Sequence, residues 1–120
     1  MGRVETAIAF CEIPMYLREH ANVSFARCCR EILASVTDSV TEADLIPILA
    51  GHPGLTDLWA DYIADQRTSD GWYVVTENLH NQPREWIVAR HGHKARLIFD
   101  SPAAAYAALV LRIVERSRTT

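Results

Sequence analysis

Asp57, Asp61 and Asp65 stand four residues apart in the stretch TDLWADYIADQRTSDGWYVV, residues 56–75, and Asp70 follows. On a helix that spacing stacks the three carboxylates along one side. Carboxylates so placed can hold a cation, work as an acid–base pair, or meet a positively charged partner. They do nothing for the helix itself, since like charges four apart cost about a few tenths of a kcal/mol per pair. Within the stretch only Arg67 balances them. A metal centre built on this row would recruit ligands from a second element, and Glu42 and Asp44 are the acids available for it.

Other reactive residue types are weaker candidates. His91 and His93 flank Gly92 in a turn-like segment, and no third ligand is tied to them by a recognised spacing. Cys28 and Cys29 fall inside an apolar helical stripe, which suits core packing better than nucleophilic chemistry. With Cys11 they make an odd count that fits neither a disulfide framework nor a zinc site, so reduced thiols in a cytosolic protein are expected. No glycine-rich phosphate loop follows a strand, and neither G-x-S-x-G nor H-E-x-x-H occurs.

Charge is distributed unevenly. The net charge is −3, but residues 37–70 hold seven acids and one base, while residues 71–120 hold four acids and seven bases. An acidic middle repels nucleic acid and attracts cationic surfaces. The bases of the last part, among them Arg84, Arg90, Lys94, Arg96, Arg112 and Arg116, are spread over several elements rather than gathered in one patch. No apolar run is long enough to span a bilayer, and the mixed N-terminus, interrupted by Glu5, Glu12 and Pro14, does not read as a secretory signal.

The elements that must position these residues follow from periodicity. The 120 residues suit one domain with one core, and no repeat or linker divides them. Residues 4–20 are apolar with a break at Pro14, which predicts two short helices or one kinked helix. Ser24 is a plausible N-cap, and Phe25, Cys28, Cys29, Ile32, Leu33 and Val36 then form one helical stripe. Thr41 with Asp44 resembles a capping box; the alternative is Asp44 as cap, with Pro47 in the first turn. Gly51 reads as the stop of that helix. Pro53 or Thr56 opens the next one, with Leu55, Leu58, Trp59, Tyr62 and Ile63 on its apolar face and the aspartates off it. Residues 67–71 read as a turn.

The period then changes to two. Residues 71–78, 84–91 and 94–100 alternate as three strands, with LHNQP and HGH as the connections, and predict an antiparallel meander. Ser101 before Pro102 marks the start of a closing helix with Tyr106, Leu109, Val110 and Ile113 as its stripe; residues 117–120 are expected to fray. The predicted fold is α+β: N-terminal helices, a three-stranded antiparallel sheet, and a C-terminal helix packed on the sheet. Trp59, Trp72 and Trp86 belong mostly to its core. Tyr62 and Tyr73 are possible aromatic anchors beside the acidic helix.

A W-x-x-Y helix (Trp59 to Tyr62), a D-x-R-T-S-x-G-W-Y turn (Asp65, Arg67 to Ser69, Gly71 to Tyr73) and an F-D-x-P helix start (Phe99, Asp100, Pro102) occur together over about residues 52–116. In this the chain resembles small bacterial immunity proteins, particularly those of contact-dependent growth inhibition systems. The N-terminal part carries no such likeness. The resemblance implies a cytosolic, non-enzymatic inhibitor without metal or cofactor, a monomer that binds a cognate toxin domain 1:1. It implies no nucleic-acid or membrane partner. Toxins of such systems are often nucleases, basic where they hold phosphates. An acidic inhibitor surface would mimic those phosphates, and Glu42, Asp44, Asp57, Asp61, Tyr62, Asp65, Asp70 and Tyr73 are the residues expected to form it. Two other readings stay open: a small metal-dependent hydrolase using the carboxylates with His91 or His93, and an antitoxin-like regulator whose basic last third binds nucleic acid.

Overall fold

The computed structural model describes residues 2–34, 39–64, 71–79 and 82–118, with the side chains of 77–79, 82–84 and 116–118 excepted. Among the described residues, six helices and three strands form an α+β fold. The predicted break at the N-terminus resolves as two helices, α1 (Arg3–Cys11) and α2 (Ile13–Glu19), joined through Glu12. Pro14 falls in the first turn of α2, where its missing N–H goes unmissed. In α3 (Phe25–Ala34), the Arg27 amide donates to Ser24 Oγ at 3.2 Å, the expected cap. Cys28 and Cys29 are the buried part of its stripe, Phe25, Ile32 and Leu33 are half-buried, and Val36 lies outside the described residues.

The structure decides between the two starts considered for α4 (Glu42–Gly51). Thr41 is the cap, its amide donating to Asp44 Oδ2 at 2.8 Å and its hydroxyl to the same oxygen at 3.1 Å. Pro47 therefore sits inside the helix, and the Ala43 carbonyl loses its usual helical donor. Gly51 is the last helical residue, without a left-handed conformation. Helix α5 (Pro53–Ala64) opens at Pro53 and buries Trp59 and Ile63.

Strands β1 (Trp72–Leu79), β2 (Gln82–Arg90) and β3 (Arg96–Phe99) pair in the order β1-β2-β3, all antiparallel, the expected meander. The β1–β2 ladder is longer than alternation indicated: it reaches Leu79↔Gln82, so most of LHNQP is paired rather than connecting. A register shift between Glu77 and Asn78 sets Pro83 opposite Asn78, beyond the part of β2 that β3 covers, and this is how a proline fits there. Gly71 at φ 85° leads into β1, and Gly92 at φ 82° closes the β2–β3 turn, with His93 N–H donating to the Arg90 carbonyl at 3.0 Å.

Helix α6 (Pro102–Arg118) starts as expected, with the Ala104 amide on Ser101 Oγ at 3.2 Å, and it continues through residues 117–118, where fraying was expected. It is the centre of the molecule, packing on the sheet on one side and on α4, α3, α5 and α1 on the other. Ala103, Ala105, Ala107, Ala108, Leu109, Val110, Ile113 and Val114 are all buried. The run of alanines lets neighbouring backbones come close on several sides at once, which is why burial exceeds the single predicted stripe. The sheet turns Trp72, Val74, Trp86, Val88, Leu97 and Phe99 toward this core.

Candidate acidic surface

Helix α5 is fixed from below. Trp59 is fully buried, and its indole N–H donates to the Cys11 carbonyl at 2.9 Å, tying α5 to the end of α1. Phe25 and Tyr62 meet its ring edge-on, with centroids 6.3 and 5.8 Å away. With Trp59 and Ile63 facing inward, Asp57 and Asp61 face solvent one turn apart. Asp57 lies near enough to Tyr106 of α6 for its charge to add to the effect of burial, which is the larger cause raising the phenol above its ordinary value.

The described acids expected to act together stand on two helices. Glu42 and Asp44 belong to α4, and each is engaged within the chain. Glu42 accepts from Arg112 of α6 at 3.2 Å, while Arg112 also donates to the Ala108 carbonyl and lies over the Trp72 ring. Asp44 serves the cap, and Arg3 approaches to 3.5 Å. The cap hydrogen bond from the Thr41 amide is the main reason its carboxyl is held below the ordinary value; desolvation opposes it, and the Thr41 hydroxyl and the Arg3 charge add lesser lowering effects. Asp61 has Arg18 of α2 at 3.9 Å, with both side chains well exposed. Counting charge along residues 37–70 therefore missed three cations, Arg3, Arg18 and Arg112, that the fold carries in from other elements. Asp65 and Asp70, with the turn motif between them, lie outside the described residues.

The two tyrosines have different settings. Tyr62 is half-buried and stacks on Phe25 at 5.2 Å, so it supports α5 more than it offers an anchor. Tyr73 is half-buried on the sheet face opposite α6, its ring 4.8 Å from that of His91. His91 and His93 are exposed, and among the described residues no three His, Cys, Asp or Glu side chains are grouped to hold a metal ion. All three cysteines are buried. Burial pushes the Cys11 thiol up to about 12, with Glu12 adding to the effect, and raises Cys28 in the same direction.

Sequence reasoning overlooked a second acidic feature. A groove of about 350 Å³ between α1, α2 and α3 has Met15, Tyr16 and Cys28 among its lining, with Glu12, Glu19 and Glu31 around it. Arg27 reaches Glu31 at 3.1 Å. A carboxylate-rimmed apolar groove suits a long cationic side chain, whose stem packs while its head pairs. The available signal was Glu12 and Glu19 either side of an apolar segment, visible only once α2 is known to fold back beside α3. Among the described residues no helix is long and apolar enough to cross a membrane. No protein-family model matches the chain, and no curated protein or solved structure matches it significantly.

Proposed function

We propose that the chain is an immunity protein that binds a cognate protein toxin and neutralises it, presenting Asp57 and Asp61 of α5 to a cationic surface of that toxin. One observation carries this reading: two carboxylates a turn apart face solvent on a helix whose other side is locked to α1 through Trp59 and Cys11. A rigid helix bearing fixed charge loses little conformational freedom on docking, and its field accelerates encounter with an oppositely charged partner. Arg18 is no obstacle, because an exposed contact of 3.9 Å is easily exchanged for a partner's guanidinium.

The resemblance in the turn and helix motifs supports the same reading and gives it a setting: an inhibitor acting in the cytosol, 1:1 and without a cofactor, on a toxin domain encoded by the adjacent upstream gene. A nuclease is the natural target, since phosphate-binding surfaces are cationic. The experiment is a pull-down with tagged protein from the source strain, followed by co-purification with the upstream toxin domain. The expected result is a stoichiometric complex in which the toxin is inactive. A toxin that stays active and does not co-purify refutes the reading.

A further inference from the structure

The sheet has two faces, and α6 covers only one. The opposite face carries Tyr73 and Val75 from β1, Ile87 and Ala89 from β2, and Arg96 and Ile98 from β3, by alternation and register. Val75 is 45% exposed and Ile98 60%. Between them on β2, Ile87 at 3% and Ala89 at 2% are buried although neither belongs to the main core. This is an apolar centre spanning all three strands with no layer of the described chain on top of it.

The two ends of that face differ in charge. At one end the register sets Glu77 opposite Glu85, and exposed Glu85, Ile98 and Asp100 border one shallow depression. At the other end Ala89 pairs with Arg96, and exposed Lys94 precedes it in the loop.

We propose that this face is the docking site for a second copy of the chain, packed face to face with its strands running the opposite way. A two-fold axis lying in the plane between the sheets, across the strands, turns the face over and reverses strand direction together. It sets the acidic end of one copy on the basic end of the other, while Val75, Ile87 and Ile98 meet their own counterparts. An axis along the strands would set acid on acid. The charge layout therefore selects one isologous arrangement, the usual form of a symmetric pair. Strand spacings of about 4.8 Å and rises of about 3.3 Å give a contact of roughly 350 Å² per copy. That is about half of a standard interface side, so the dimer is weak and reversible. The proposal is independent of the toxin-binding reading, which uses α5.

Sedimentation velocity of the purified chain at low salt, from about 10 µM to about 1 mM, is the test. The dimer fraction should rise with concentration and fall with added salt. Ile98→Asp, at an exposed position that leaves folding intact, should weaken the dimer more than about 10-fold. Asp100→Lys and Arg96→Glu should each weaken it, and the two together should restore it, because an axis across the strands through Ile98 lays β3 on β3 and sets position 100 of one copy on Arg96 of the other. A monomer throughout the range overturns the proposal, and if Ile98→Asp then impairs toxin capture, the face belongs to that partner. A dimer that the double exchange leaves as weak as the single exchanges overturns it as well, since a dimer joined edge to edge through β1 or β3 would behave so.

Discussion

Replacing Trp59 by phenylalanine removes the indole N–H that donates to the Cys11 carbonyl at 2.9 Å and keeps an aromatic ring beside Phe25 and Tyr62. Two losses add. A buried acceptor deprived of its donor costs about 1–3 kcal/mol. The missing part of the indole withdraws roughly 40 Å² of apolar contact, about 1 kcal/mol. The sum is about 2–4 kcal/mol, and at this chain length it lowers Tm by roughly 10 °C. Urea unfolding followed by circular dichroism should show a lower midpoint with an unchanged slope, the mark of lost stability without a change in the denatured state. Because the hydrogen bond fixes α5 to α1, the same variant should also associate more slowly with the proposed toxin partner. A loss below about 1 kcal/mol would refute the reasoning that this bond holds the acidic helix in place.

Arg112→Ala should destabilise the fold by about 1–2 kcal/mol in urea titrations, since its guanidinium both lies over the Trp72 ring and joins α6 to Glu42; Glu42→Gln should cost less than half of that. Asp44 is held below its ordinary value of 3.8, so its contribution to stability is present above that pH and is lost as pH falls through the lower value of the folded state. The stability gap between wild type and Asp44→Asn, measured by thermal unfolding at a series of pH values, should therefore close on acidification below the ordinary value. Gly71→Ala should cost about 1–2 kcal/mol through its positive φ alone, because the added Cβ would meet Arg90 Cγ at an ordinary 3.6 Å; chemical unfolding measures it. The Cys11 thiol should resist alkylation at pH 8 in the native protein and react at once in denaturant, a difference that mass spectrometry of the labelled peptides reads directly.

The fold was legible where local chemistry is strong. Ser24, Thr41 and Ser101 mark helix starts by side-chain type, and the change of period at Trp72 marks the strands. It was less legible where tertiary contact overrides local signs. Pro47 pointed equally to a helix start, and only the Thr41–Asp44 box decides against that. Pro83 looked like a connection, but a register shift admits it to β2. The acidic surface was half legible: sequence spacing put Asp57 and Asp61 on one exposed side of α5, whereas the cationic partners of Glu42, Asp44 and Asp61 are Arg112, Arg3 and Arg18, which lie far from them along the chain. The apolar outer face of the sheet needed the register of three strands before Val75, Ile87 and Ile98 could be seen as neighbours.

The central claim is that the α5 carboxylates meet a cationic partner. The association rate of the purified chain with the upstream toxin domain, measured by stopped flow over a series of salt concentrations, tests it most directly. Wild type should bind fast at low salt and slow steeply as salt rises, and Asp57→Asn with Asp61→Asn should lose roughly 10-fold in low-salt rate and flatten the slope. Identical rates and identical slopes for the two proteins would contradict the claim.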